Sequence, residues 1–254
     1  MVTLRDAESG EVVRVQPRHS GELRVLVVAT RPGLGQARAY LAGDLLCRMA
    51  DRDGLVASMC DLVPERDLES RRAELNIRPP AHTLARPVTA ESLAPLFSDG
   101  DRAPVFDVGI RLAASPAEDW LVERWIEVAG PAKGEIPDIT VDPLVVRLML
   151  LRHGYGRELA DGLTAEDAGS SARTLARWRA KIAEWSRSPG KPMSRRYYEA
   201  VSTAIADDLD TPAALRELAA LEDDPSEPDG GKFETFAAAD RLLGLDLVRD
   251  IGRW

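Results

Sequence analysis

Chemistry on a phosphate needs a cradle of donors, and one stretch of this chain has the form of such a cradle. From Arg24 to Leu46 it reads RVLVVATRPGLGQARAYLAGDLL. Val25–Ala29 is an unbroken apolar run, as in a strand covered on both faces of a parallel sheet. Arg31-Pro32-Gly33-Leu34-Gly35 is a turn. A helix is expected from Gln36 to Asp51, with Ala37, Leu41, Leu45 and Met49 on one stripe. A glycine turn before a helix presents unpaired backbone N–H groups, and the helix dipole favours an exposed anion there by about 0.3–1 kcal/mol. Arg31 would add a charge-assisted contact. The competing reading is a solvated Arg31 above glycines that only make the turn. The motif falls short of a dinucleotide fingerprint, whose third glycine would fall near Arg38.

Other constellations are weaker. Zinc prefers thiolate and imidazole ligands, but Cys47 and Cys60 form no close-spaced pair, and the histidines are only His19, His82 and His153. Asp207-Asp208-x-Asp210 has the letters of a cation site; its competing reading is a helix end followed by a capped turn. Arg195-Arg196 beside Tyr197-Tyr198 suggests RNA contact by charge and stacking. Tyr197 falls on an apolar stripe, however, so core packing is the expected role. Asp99–Asp101 and Glu222–Asp229 read as solvated acidic loops.

The elements that would position these groups follow from periodicity. A short hairpin is expected around Glu8–Arg14. Gly54 ends the first helix, and Leu55–Cys60 forms a second strand. Strand, helix and strand in this order imply a right-handed parallel crossover. Prolines then divide the chain, with a helix expected at Ala90–Phe97, a strand at Val105–Val108 and a helix at Ala117–Val128. Gly130–Asp142 is the linker, which places domains at 1–141 and 142–254. Beyond it the pattern is helical. Pro143 sits at a first helical position, Leu175, Trp178, Ile182 and Trp185 share a stripe, and Tyr197, Val201 and Ile205 share another. Thr211 reads as an N-cap before Pro212, Asp223–Gly231 as a loop, and a last helix stops at Gly244. The aromatic residues of these stripes read as core.

The 254 residues allow one large domain or two modest ones, each with a core. Hydrophobic residues make up 44% and charged residues 30%, an ordinary globular balance that argues against wholesale disorder. The net charge of -9 argues against nonspecific nucleic-acid binding, which depends on neutralising phosphates. Two cysteines and no secretory signal make a reducing cytoplasm the expected location. No apolar run approaches the roughly 20 residues that span a bilayer.

Several segments in order resemble the cysteinyl-tRNA synthetases and their relative, the cysteine:glucosaminyl-inositol ligase of mycothiol biosynthesis. His19-Ser20-Gly21-Glu22 is similar to the family's His-x-Gly-Glu lead into the first strand, and Ala37-Arg38-Ala39-Tyr40 to its Ala-Arg-x-Tyr helix. LNIRPPAH (Leu75–His82) resembles the segment before the family's inserted region, and VDPLVVRLMLLRHGY (Val141–Tyr155) the helix after its KMSKS loop. AIADDLDTPAALREL (Ala204–Leu218) and FAAADRLLGL (Phe236–Leu245) resemble parts of its helical domain. The resemblance implies a class I, HUP-type Rossmann-like α/β domain with a parallel sheet, followed by a C-terminal helical bundle. It also implies a shortened paralogue lacking most of the inserted region, the zinc-bearing segment and the anticodon-recognition part.

The resemblance places the ligand chemistry too. Class I activation joins a carboxylate to the α-phosphate of ATP, and donors aimed at the developing negative charge supply the stabilisation. The HIGH position aligns with Gly33-Leu34-Gly35-Gln36, where both histidines are absent. Gln36 could give one neutral hydrogen bond, roughly half as strong as a charge-assisted one. The degenerate region is therefore Thr30, Arg31, Gly33, Gly35 and Gln36, a nucleotide or anion site. Lys133 is a candidate KMSKS remnant, although Glu135 and Asp138 carry the wrong charge for a pyrophosphate clamp. GKPMS (Gly190–Ser194) imitates that motif by coincidence. The family's first zinc-binding cysteine aligns with Ala29, so no zinc is expected. The resulting expectation is a cytoplasmic binding or partner-regulating module without cysteine activation and with no catalytic residue assigned. It would take a small anionic ligand, ATP or another adenine nucleotide, or a protein partner. The alternative is an active ATP-dependent ligase with remodelled motifs, using Gln36, Arg31 and Lys133. A tRNA-binding factor is a third reading, against which the acidic charge counts.

Overall fold

The computed structural model describes residues 1–18, 21–29, 33–62, 72–84, 88, 93, 106–112, 122–129, 142–159 and 162–252. They divide into two compact units: Met1–Ile136 with Tyr155–Gly162, and Pro137–Gly154 with Leu163–Trp254.

The first unit opens with the antiparallel hairpin β1 (Thr3–Arg5) and β2 (Val12–Arg14). Its turn is closed by Asp6 Oδ1, which accepts from the backbone N–H groups of Glu8 and Ser9 and from the Ser9 hydroxyl. Five strands and one long helix follow: β3 (Glu22–Val28), α1 (Leu34–Arg52), β4 (Val56–Leu62), β5 (His82–Leu84), β6 (Val108–Leu112) and β7 (Trp125–Val128). The last five strands pair in parallel, in the order β5-β4-β3-β6-β7. The unit is thus a Rossmann-like α/β domain. Chain order reverses between β3 and β6, and open α/β sheets bind ligands outside the strand ends at such a point.

Burial explains the strand composition. Val25, Leu26, Val27 and Val28 have no exposure, so the central strand is apolar on both faces. Val25 and Val27 face α1, and Leu26 and Val28, which alternate with them, face the cluster of Cys60, Leu62, Phe106 and Trp125 on the other side. Two glycines permit close approaches. A Cβ on Gly43 of α1 would lie 2.8 Å from Met59 Sδ and 3.0 Å from Val27 Cγ2. One on Gly109 would lie 2.5 Å from Trp125 Cε3.

Three sequence expectations change here. The strand expected at Val105–Val108 occupies Val108–Leu112 instead, with Phe106 joined to Val122 by an isolated bridge. The C-terminal part of the expected Ala117–Val128 helix is strand β7. Leu121, Trp125 and Val128 fit a helical stripe, but Trp125 and Ile126 pair with Gly109 and Ile110, and tertiary pairing outweighs a short helical pattern. The short strand β5 was not anticipated among the prolines. The Ala90–Phe97 helix lies outside the described residues apart from Leu93.

The second unit is helical: α2 (Pro143–His153), α3 (Ala165–Trp185), α4 (Arg195–Ala206), α5 (Thr211–Asp223) and α6 (Asp229–Leu243). Asp142 caps α2 by accepting from the Leu144 N–H, with Pro143 in the first turn. Thr164 and Asp167 form a capping box on α3. The cap of α5 is Asp210, not Thr211. Thr211 is buried, and its hydroxyl donates to the Leu151 carbonyl at 2.6 Å. The expected aromatic stripe is core: Phe236 meets Trp178 edge-on at 5.6 Å and Trp185 at 5.5 Å. Helix α6 starts earlier than the expected loop allowed. Gly230 in its first turn lies against the Pro189 carbonyl, where a Cβ would stand 2.2 Å away.

Candidate functional site

The switch point is built by the end of β3 and the start of α1. Gly33 has φ 122°, a conformation that suits glycine. Its carbonyl accepts from Ala37 N at 3.1 Å, starting the helix. The N-cap residue is a glycine with no side chain to cap the helix, and no acidic residue lies in the first turn of α1. The first N–H groups of a helix have no partner within it, which is the donor pattern an anion site would use.

The Gln36 side chain turns inward. It is 3% exposed, and its Nε2 donates to the Ala29 carbonyl at 3.0 Å. The amide that the sequence offered as a replacement phosphate donor therefore ties the first turn of α1 to the end of β3. Gly33 is the helix cap, and Gly35 lies in the first turn of α1 rather than in the turn before it, because the helix starts at Leu34 and not at Gln36. Thr30, Arg31 and Lys133 lie outside the described residues.

Three polar side chains, the buried Asp61 and Arg38 and the half-buried Arg111, have partners that the sequence does not reveal. Asp61 on β4 accepts at Oδ2 from the Tyr40 hydroxyl (3.0 Å) and from Arg72 (2.5 Å), and the Arg72 guanidinium lies 5.0 Å from the Tyr40 ring centroid. Burial, reinforced by Asp61, pushes the Tyr40 hydroxyl far above its ordinary range. Asp61 Oδ1 is buried without a hydrogen-bond partner among the described residues. On β6, Arg111 donates to Glu127 at 2.9 Å and lies 5.3 Å from the Trp125 ring centroid. Arg38 on α1 donates to three backbone carbonyls: Ala129 (2.6 Å), Tyr155 (2.9 Å) and Arg157 (2.5 Å). A charge inside an apolar segment was the available signal, because buried ions need partners; SMCDL around Asp61 and GLGQARAY around Arg38 both carry it.

Among the described residues no group of three or more His, Cys, Asp or Glu side chains is placed to hold a metal ion. Both cysteines are buried and free, and burial pushes each thiol up to about 12, away from the thiolate form that binds metal. No helix among the described residues is long and apolar enough to cross a membrane.

The weaker constellations have structural roles in the second unit. Asp210 Oδ1 accepts from Ala213 N, while Asp208 and Leu209 take positive φ in the turn before it. Tyr197 is buried, and its hydroxyl donates to Asp224 at 2.9 Å. Arg195 pairs with Glu199 on the helix surface. Ser194, at the end of GKPMS, donates through its backbone N–H to Thr235 and through its hydroxyl to Glu227.

The fold defines a Rossmann-like α/β domain whose strand order reverses between β3 and β6, joined in the chain to a helical part. No protein-family model matches the chain. It is similar to the L-cysteine:1D-myo-inositol 2-amino-2-deoxy-alpha-D-glucopyranoside ligase of Streptomyces griseus, at 37% identity over 113 residues, covering 42% of this chain and 26% of the ligase. The ligase of the same name from Thermobifida fusca is 35% identical with the same coverage of both chains. That of Catenulispora acidiphila is 44% identical over 75 residues, 30% of this chain and 16% of the ligase. The chain is a partial relative of these class I cysteine ligases, and the matched stretch spans about a quarter or less of their length.

Proposed function

We propose that this chain is a ligase-related module that holds a small anionic ligand, such as an adenine nucleotide, at the start of α1 without activating cysteine. The carrying observation is the Gln36 amide. It is the described side chain at the degenerate HIGH position with a donor to offer, and it is engaged with the Ala29 carbonyl. The backbone turn at Gly33 keeps an anion-binding form, while the side-chain donor that would stabilise a reacting phosphate is used for structure. Binding needs the former and catalysis needs the latter. A partner-regulating role follows if the ligand state is read by another protein.

A second reading has its own support. The relatives are named as ligases, and 34–44% identity over the matched stretches favours a retained amino-acid-activating reaction. ATP–pyrophosphate exchange with each amino acid separates the two. The binding module gives background exchange with all of them, and exchange with cysteine above background would overturn it. Thermal shift with ATP, AMP and aminoacyl-sulfamoyl adenosines tests ligand retention, since a ligand selective for the folded state raises Tm. A salt-sensitive gel shift with tRNA would point instead to the tRNA-binding reading.

A further inference from the structure

The first unit is discontinuous in sequence: it ends at Ile136 and resumes at Tyr155–Gly162, with Pro137–Gly154 belonging to the other unit. The two described ends of this excursion meet. Ala129 N donates to the Tyr155 carbonyl at 3.0 Å. Arg38 reaches both ends from α1, with Nη1 donating to the Ala129 carbonyl and Nη2 to the carbonyls of Tyr155 and Arg157. We infer that Arg38 is a positioning residue whose guanidinium closes this neck of the chain and thereby holds α1 where its first turn receives a ligand.

The geometry carries this in three steps. A guanidinium is a planar fork of fixed donors, so three acceptors gathered on its two terminal nitrogens are fixed relative to one another. Arg38 follows Gly35 by three residues, about one helical turn, so the clamp sits directly behind the candidate ligand turn. Finally, α1 is tied on other sides as well, by Gln36 to the end of β3 and by Tyr40 to Asp61 of β4. Arg38 supplies the tie to the neck. It is 2% exposed, and although burial lowers its pKa to about 10, it stays charged at neutral pH. The ligand clause of the inference rests on the proposed anion site; the clamp itself does not.

Hydrogen exchange on the full chain separates the two. In Arg38→Gln, the Ala129 amide and the Ala37 amide of α1 should exchange faster by about tenfold or more, while the amides of α3 to α6 keep their protection. Arg38→Lys, whose point charge cannot fork across three carbonyls, should loosen the same two amides to a smaller degree and serves if the glutamine variant does not fold. Unchanged exchange at Ala129, or equal loss of protection throughout the chain, would overturn the clamp. ATP titrated by calorimetry into wild type and Arg38→Lys should show about tenfold weaker binding to the variant; equal affinity would overturn the link to α1. If wild type itself binds no ATP, the nucleotide reading of the site falls, and the clamp is decided by the exchange pattern alone.

Discussion

At the scale of residues, one hydrogen bond separates two functional readings. Gln36 stands in the first turn of α1, and its amide is bonded to Ala29 rather than held toward an incoming phosphate. Gln36→Ala would leave the Ala29 carbonyl without this partner, so a loss of about 1–3 kcal/mol is expected, read as a lower Tm. The same variant should leave pyrophosphate exchange at background; an exchange activity that vanished with it would instead establish Gln36 as a catalytic donor. The glycine turn was legible because backbone conformation restricts residue type at Gly33. The direction of the Gln36 side chain was not, because a carboxamide there can turn outward to a ligand or back to the strand. Arg38 and Tyr40 were visible only as letters in a resemblance. Their partners, the neck carbonyls and Asp61, come from distant parts of the chain.

At the scale of elements, the sheet is held by close approaches as much as by apolar content. Gly109 and Gly43 make a paired test. A methyl at Gly109 meets the rigid Trp125 ring at 2.5 Å and Val122 Cγ1 at 2.8 Å, and β6 cannot shift without disturbing its pairing with β3 and β7. A methyl at Gly43 meets Met59 Sδ, the mobile part of an adaptable side chain. Overpacking costs about 1–3 kcal/mol, so Gly109→Ala should fall at the upper end and Gly43→Ala at the lower, measured by urea unfolding. Equal effects would show that the ring, too, can give way. The β3-α1-β4 unit was legible because its long apolar runs have clear periods. Strand β7 was misread as helix because Leu121, Trp125 and Val128 satisfy the helical period over a short window, and only pairing with β6 decides between the two.

At the scale of the whole molecule, charge organises the helical part. Burial alone would raise the Asp142 carboxyl, but the Arg179 hydrogen bond, the Leu144 N–H and the nearby Arg249 hold it below the usual range. Glu222 is likewise raised by burial and brought below it by Arg177, Lys181 and the Trp178 N–H. A carboxyl with a lowered folded pKa contributes stability that is present above its unfolded value and lost as pH falls through the folded one. Tm should therefore fall on acidification below about pH 4, and an Asp142→Asn/Glu222→Gln double variant should be less stable at pH 7 but lose less on acidification. Parallel pH curves for variant and wild type would show that other carboxylates govern acid unfolding. By itself the sequence determined the α/β unit, the glycine turn before α1 and the helical stripes, because each rests on local backbone preference or a short repeat. Tertiary structure decided which groups the buried ions serve. Arg38's carbonyl partners lie 91 to 119 residues further along the chain, and no local pattern encodes a pairing made only when the neck closes.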